Sequence, residues 1–270
     1  PLMGAGFGQF AFQHLQLAAD LHNPAMGGLY NNAHNLMMQI AAETGLAGVG
    51  ILLGALGLWF WQSVVRGAQF TLYHWWGYAI LAVLGIHSLL EYPLWYAHFI
   101  GIGAVMLGMF DTTAYQLELR NAGRASVAVM LLLGVLSLLQ CFQGYRHLER
   151  ALVLRQMAAK DRSYVERARD ELLVVYEYPL LNSYAELFIA NMMEPSTDRL
   201  KEKLELNERA LHFVPIAPVV YHQALLLALA DRPDEARAQM ERAIWAYSPD
   251  YKTSLAELGD LARKDPSRFS

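Results

Sequence analysis

Cysteine is nearly absent. Cys141 stands alone in 270 residues and lies in an apolar run, which excludes both a disulfide framework and a thiolate metal cluster. Charge is scarce in the first half. Residues 1–143 carry three basic side chains (Arg66, Arg120, Arg124) and five acidic ones (Asp20, Glu43, Glu91, Asp111, Glu118). The rest of the chain carries 18 Lys/Arg and 20 Asp/Glu, so the composition breaks sharply near Gln143. A net charge of −4 supplies no basic surface for nucleic acid. The sequence opens at Pro1 with neither an initiator methionine nor a signal sequence, and it is expected to be the C-terminal portion of a longer protein.

What the first half has instead is long apolar runs. Residues 45–65, 70–90, 94–110 and 125–142 are free of charge and approach or reach the ~20 residues that cross a hydrocarbon core. Four such runs in 100 residues argue against the buried core helices of a soluble protein. Arg66 falls between the first two runs, and Arg120 and Arg124 between the last two. Residues 1–44 and the Glu91–Pro93 turn have no Lys or Arg. The positive-inside rule therefore places the arginine loops in the cytoplasm, with residues 1–44, the 91–93 turn and 144–270 on the opposite, periplasmic side of an inner membrane. Trp59, Trp61, Trp75, Trp76, Trp95 and Tyr96 sit near span ends, as an interfacial belt does. Glycines 45, 48, 50, 54 and 57 are candidates for close helix approach.

Two polar clusters open onto that outer face. One is Tyr30-Asn31-Asn32-Ala33-His34-Asn35, leading on to Glu43-Thr44-Gly45; the other is Glu91-Tyr92-Pro93-Leu94-Trp95-Tyr96. Polar groups where a membrane helix begins are more often functional than not. On one unbroken helix His34 and Glu43 are half a turn out of phase, so they share a site only if the segment breaks or another helix intervenes. Helix caps and an aromatic belt account for the second cluster equally well. Gly4, Gly6 and Gly8 alternate in a pattern that suits either phosphate binding or a flexible turn, and no strand precedes them as a dinucleotide fold requires. His14, Asp20, His22 and His34 match no common metal spacing, so no metal and no cofactor are expected.

Together these motifs resemble the O-antigen ligase superfamily. The Gly4-x-Gly6-x-Gly8-Gln9-Phe10 stretch, Asn32-Ala33-His34-Asn35, Ala42-Glu43-Thr44-Gly45 and Leu89-Leu90-Glu91-Tyr92-Pro93-Leu94-Trp95-Tyr96 carry the likeness. The last is most similar to the PglL-type branch, the bacterial protein O-oligosaccharyltransferases. The resemblance implies a metal-independent transfer of a glycan from an undecaprenyl-diphosphate carrier to an acceptor hydroxyl at the periplasmic face. The acceptor is a Ser/Thr of a pilin-like protein, or else lipid A core or a growing glycan. His34 matches the family's essential histidine, as base or as diphosphate contact, and Tyr92 its functional tyrosine. Gly6, Gly8, Asn35, Glu43, Glu91 and Tyr96 are candidate substrate-binding residues, with either glutamate able to orient His34. In the family the charge of the departing diphosphate is met by arginines of earlier helices, so residues 1–270 alone are expected to be inactive.

Past Tyr145 the sequence reads as helical throughout. Residues 208–215 (Glu-Arg-Ala-Leu-His-Phe-Val-Pro) and 241–249 (Glu-Arg-Ala-Ile-Trp-Ala-Tyr-Ser-Pro) align at an offset of 33–34, the tetratricopeptide period, with a plain helical bundle as the alternative. The expected fold class is all-α: a periplasmic loop (1–44), four transmembrane helices (45–143) and a soluble tetratricopeptide-like domain (144–270). The rival reading from another class is a membrane-anchored scaffold without catalysis.

Overall fold

The regular secondary structure of the described residues is helical. A computed structural model describes residues 2–23, 28–66, 71–111, 120–157, 161 and 163–264, and among them there is no strand. The expected start of the second span at Phe70 lies outside these residues. The chain divides into two units, one of Pro1–Gln13 and Tyr30–Leu117, the other of His14–Leu29 and Glu118–Ser270.

In the first unit α2 (Leu36–Phe60) runs into a single π-helical turn (Trp61–Val65), followed by α3 (Leu72–Leu90), a 3-10 turn (Pro93–Trp95) and α4 (Ala97–Met109). The helix that carries the first apolar run starts at Leu36 rather than at 45 because Asn35 caps it. Asn35 is extended (φ −156°, ψ 117°), and its side-chain oxygen accepts the Met38 N–H at 3.0 Å. The break falls instead at Gly45, whose φ of 73° and ψ of −172° interrupt the helix where the apolar run begins. At the far end Trp59 Nε1 donates to the Leu107 carbonyl (3.1 Å) and the Tyr78 hydroxyl to the Ser63 carbonyl (3.0 Å). The buried Phe110 ring lies against Gly77, where a Cβ would stand 1.9 Å from it. Gly50, Gly54 and Gly57 have nothing within 4 Å of where a Cβ would stand, so among the described residues they mediate no helix contact; Gly48 packs on Thr44 and Ile40 of its own helix.

Among the described residues two stretches are long and apolar enough to cross a bilayer: Leu36–Val65 and Asn121–Met157, with mean hydropathies of 1.6 and 2.3. Only 6% and 0% of their most apolar windows are buried, which a soluble core helix would not tolerate. Helix α4, at 13 residues, is shorter than a span.

In the second unit α5 (Asn121–Met157) is one continuous helix of 37 residues. The composition break near Gln143 therefore falls inside a helix. No proline or turn signal interrupts it there, and its environment changes without a change of backbone. Beyond it come α6 (Ser163–Tyr176), α7 (Asn182–Met192), α8 (Leu200–Phe213), α9 (Ala217–Leu229), α10 (Pro233–Ala246) and α11 (Tyr251–Lys264). From α5 to α10 each helix packs on the next. Leu148 and Ala151 of α5 join Leu172, Val175, Leu181 and Ala185 in one core. Helix α9 is buried almost all round, with Val219, Val220, Tyr221, Leu225 and Leu226 at most 1% exposed. Tyr221 donates to the Tyr247 carbonyl (2.9 Å), and Tyr247 in turn donates to the Pro215 carbonyl (2.6 Å). The two aligned sequence stretches thus end in the same way, each with a helix stopped just before a proline.

Residues 1–44 do not form one loop. They contain α1 (Phe10–Leu21), in which Ala11, Leu15 and Ala18 form a buried stripe at helical spacing. Residues 14–23 belong to the second unit, where the His22 ring meets Trp245 edge-on at 4.9 Å. Burial pushes the His14 imidazole below its ordinary value, so folding favours its neutral form. Such a group contributes stability above the ordinary histidine value, about 6.5, and loses it as pH falls through the lowered one. Acidification from pH 7 to 5 is expected to lower the thermal midpoint more in the native protein than in His14→Gln. Equal slopes would refute this.

Candidate active site

The first unit brings its two polar clusters together. His34 sits in the left-handed region (φ 50°), just before the cap of α2, and Glu91 caps the end of α3. His34 Nδ1 and Glu91 Oε2 are 2.8 Å apart. A carboxylate only accepts, so in the neutral ring Nδ1 carries the proton and Nε2 keeps a lone pair. Both side chains are about half exposed, which leaves the ring accessible to a substrate. The Tyr92 ring meets His34 edge-on, with centroids 4.9 Å apart, and Tyr96 stacks on Tyr92 at 6.2 Å. Asn35 Nδ2 donates to the Leu89 carbonyl at 2.9 Å, tying the start of α2 to the end of α3.

Local sequence explains this convergence. Pro93 opens the 3-10 turn and turns the chain out of α3, so Glu91, Tyr92 and Tyr96 project at one helix end. Asn35 spends one side-chain atom on its own helix and the other on α3, which fixes His34 beside that end.

Of the two glutamates, Glu91 holds His34 and Glu43 does not. Glu43 is buried, at 6% exposure, and accepts from Gln39 Nε2 at 2.8 Å. The glycine stretch ends in a turn, in which the Gln9 N–H donates to the Gly6 carbonyl (3.2 Å), and its first residues pack on backbone. Gly4, Gly6 and Gly8 all have positive φ (68°, 108°, 74°), and residues 2–6 lie across the break in α2. Ala5 N–H donates to the Ala42 carbonyl (2.8 Å), Gly6 N–H to the Glu43 carbonyl (2.9 Å) and Ala47 N–H to the Leu2 carbonyl (3.2 Å). These bonds satisfy the groups that Gly45 removes from the helix ladder. The Gly6 N–H is thereby occupied, while Gly8 is exposed and unobstructed. Sequence reasoning missed Gln39; the signal was its spacing, four residues after Asn35 and four before Glu43.

Among the described residues no three His, Cys, Asp or Glu side chains are grouped to hold a metal. The basic residue Arg66 of this unit lies at the opposite end of α2, over the Trp61 ring.

A family model described as virulence factor membrane-bound polymerase, C-terminal, matches residues 75–258, about two thirds of the chain. The match includes Glu91, Tyr92 and Tyr96 and begins after His34 and Asn35. No curated protein and no solved structure matches.

Proposed function

The chain belongs to the virulence factor membrane-bound polymerase family, within the O-antigen ligase and polymerase superfamily, and from that premise we propose that it carries out glycosyl transfer from a lipid-linked donor. The observation that carries the reading is the His34–Glu91 pair, half exposed and flanked by Tyr92. A donor of the undecaprenyl-diphosphate oligosaccharide class would present its anomeric carbon at this site, on the periplasmic side of a multi-pass inner-membrane protein. The acceptor O–H attacks that carbon while His34 Nε2 takes the proton. The bond from the carbon to the diphosphate oxygen breaks, and the diphosphate departs with the electron pair. Glu91 fixes the tautomer and stabilises the imidazolium that forms, as a carboxylate does for any histidine base. No metal enters this scheme. Charge on the departing diphosphate requires cations, and Arg66 stands too far along α2 to serve.

Among acceptors we favour a protein hydroxyl of the pilin type, because the 91–96 turn is most similar to the PglL-type branch. In that case the helices from α6 onward would form a tetratricopeptide-like module suited to holding a peptide. Membranes containing the protein and a lipid-linked glycan would be offered a pilin-like protein, lipid A core or a glycan primer. A glycan-dependent mobility shift of the protein acceptor is expected; label on lipid A core or polymer alone would reassign the acceptor. Glu91→Gln is expected to reduce transfer about tenfold or more at equal protein level, because an amide no longer fixes the ring or balances its charge. Wild-type rates in Glu91→Gln would remove Glu91 from the mechanism.

A further inference from the structure

Gln39 and Glu43 are both buried, at 3% and 6% exposure, close to the His34 loop. Glu43 Oε1 accepts from Gln39 Nε2 at 2.8 Å, and Gln39 Oε1 accepts the Ala33 N–H, also at 2.8 Å. The order of these bonds is forced. The Ala33 N–H can only donate, so the Gln39 amide must turn its oxygen toward Ala33, which leaves its NH2 facing Glu43. Ala33 is the residue before His34, and His34 occupies a left-handed conformation that a non-glycine residue keeps only when its neighbours hold it there. Asn35, Gln39 and Glu43 follow one another at four-residue intervals, so all three lie along one face of α2. The same Glu43 is held from the backbone side, where its carbonyl accepts the Gly6 N–H.

We propose that Gln39 and Glu43 are positioning residues for His34: Glu43 anchors the NH2 end of the Gln39 amide, and the Gln39 oxygen pins the Ala33–His34 backbone so that the imidazole meets Glu91. The inference rests on the reading of His34 as the reacting group. It makes Glu43 a support of the site rather than a contact for substrate. Direction, more than mere occupancy, is what the relay supplies, and this makes it testable by reversing its polarity.

In the membrane-embedded protein Gln39→Glu sets two carboxylates against each other and is expected to lower kcat at least about tenfold, with KM changing less. Adding Glu43→Gln to it restores a donor facing an acceptor, since the new amide can donate to the new carboxylate, which still accepts Ala33 N–H. The double variant is expected to recover to within about threefold of wild type. Glu43→Gln alone still offers an oxygen to Gln39 Nε2 while Ala33 N–H holds the Gln39 oxygen in place, and is expected to stay within about threefold of wild type. A double variant no better than Gln39→Glu overturns the relay. If Gln39→Glu does not accumulate, Gln39→Leu removes both bonds without adding charge. It should lose transfer and the slow exchange of the Ala33 amide hydrogen; retention of both overturns the proposal. His34→Ala runs alongside as the control for the reading itself. If His34→Ala transfers at the wild-type rate while Ala33 exchange still follows the Gln39 and Glu43 variants, the relay stands as architecture and the catalytic reading fails. If His34→Ala is inactive and Ala33 exchange ignores both residues, the reading stands and the relay fails.

Discussion

Replacing His34 with alanine is expected to reduce glycan transfer by about 10²–10⁴-fold, the usual contribution of a positioned general base. The acceptor hydroxyl is a poor nucleophile until its proton is taken, and the free Nε2 of His34 is the group the 34–91 pair offers for that. Glu91 remains after the substitution, but it is a weaker base and is displaced from the attack position by the length of a ring. Stability should change little, because His34 is about half exposed and its one side-chain hydrogen bond ends on an equally exposed carboxylate. The measurement is acceptor glycosylation at matched membrane expression, together with a thermal melt in detergent. Loss of transfer with an unchanged melt is the expected pair of results. Unchanged transfer would favour a scaffold, in which the polar residues at the helix ends are only caps and anchors. Should His34 serve as a diphosphate contact instead, His34→Gln would keep a hydrogen-bond donor and recover much of the rate; a base cannot be replaced that way.

The largest loss of stability is expected at Gly45. Its φ of 73° is costly for any residue with a side chain, and a Cβ there would stand 2.2 Å from the Leu2 carbonyl oxygen and 2.6 Å from Gly4 N. Those atoms are backbone and cannot rotate away. Gly45→Ala must therefore push residues 2–6 off α2, and with them go the bonds to the Ala42 and Glu43 carbonyls and from Ala47 N–H. Backbone strain and the unpaired groups together are expected to cost about 3–5 kcal/mol, at the extreme of single substitutions. Gly54→Ala is the control, since nothing lies within 4 Å of a Cβ there. Within a helix it should be neutral or stabilising by up to about 1 kcal/mol. Melting both variants in the same detergent separates the two expectations; equal midpoints would show that the break at Gly45 is not held by the N-terminal segment. Because Glu43 lies two residues from Gly45, the same variant should also impair transfer.

The residues of the candidate site are marked in the sequence. His34, Asn35, Glu91, Tyr92 and Tyr96 stand out because each is polar or aromatic beside an apolar run, and the resemblance groups the same stretches. The choice between Glu43 and Glu91 as partner of His34 was not legible. It depends on which way two chain segments 57 residues apart turn at their helix ends, and periodicity along one segment carries no such information. Gln39 escaped notice because an amide inside an apolar helix looks like a tolerated exception until its two partners are seen. The packing of the glycine motif was not legible for a related reason. Alternate glycines announce unusual backbone, but whether that backbone faces a phosphate or another stretch of chain is decided by what packs on it.

Sequence by itself determined that the chain is helical, that its first half carries lipid-compatible helices, and where charge returns. Those follow from local composition and spacing, since each residue's preference for water or hydrocarbon travels with it. Tertiary structure decided that α5 runs unbroken through the composition change and that residues 14–23 join the second unit. It also decided that the glycine segment splints α2 at Gly45 and that His34 leans on Glu91 while Glu43 leans on Gln39. These are choices among partners distant in sequence. They are settled by which buried donors and acceptors must be satisfied, a condition on the assembled chain and not on any one stretch of it.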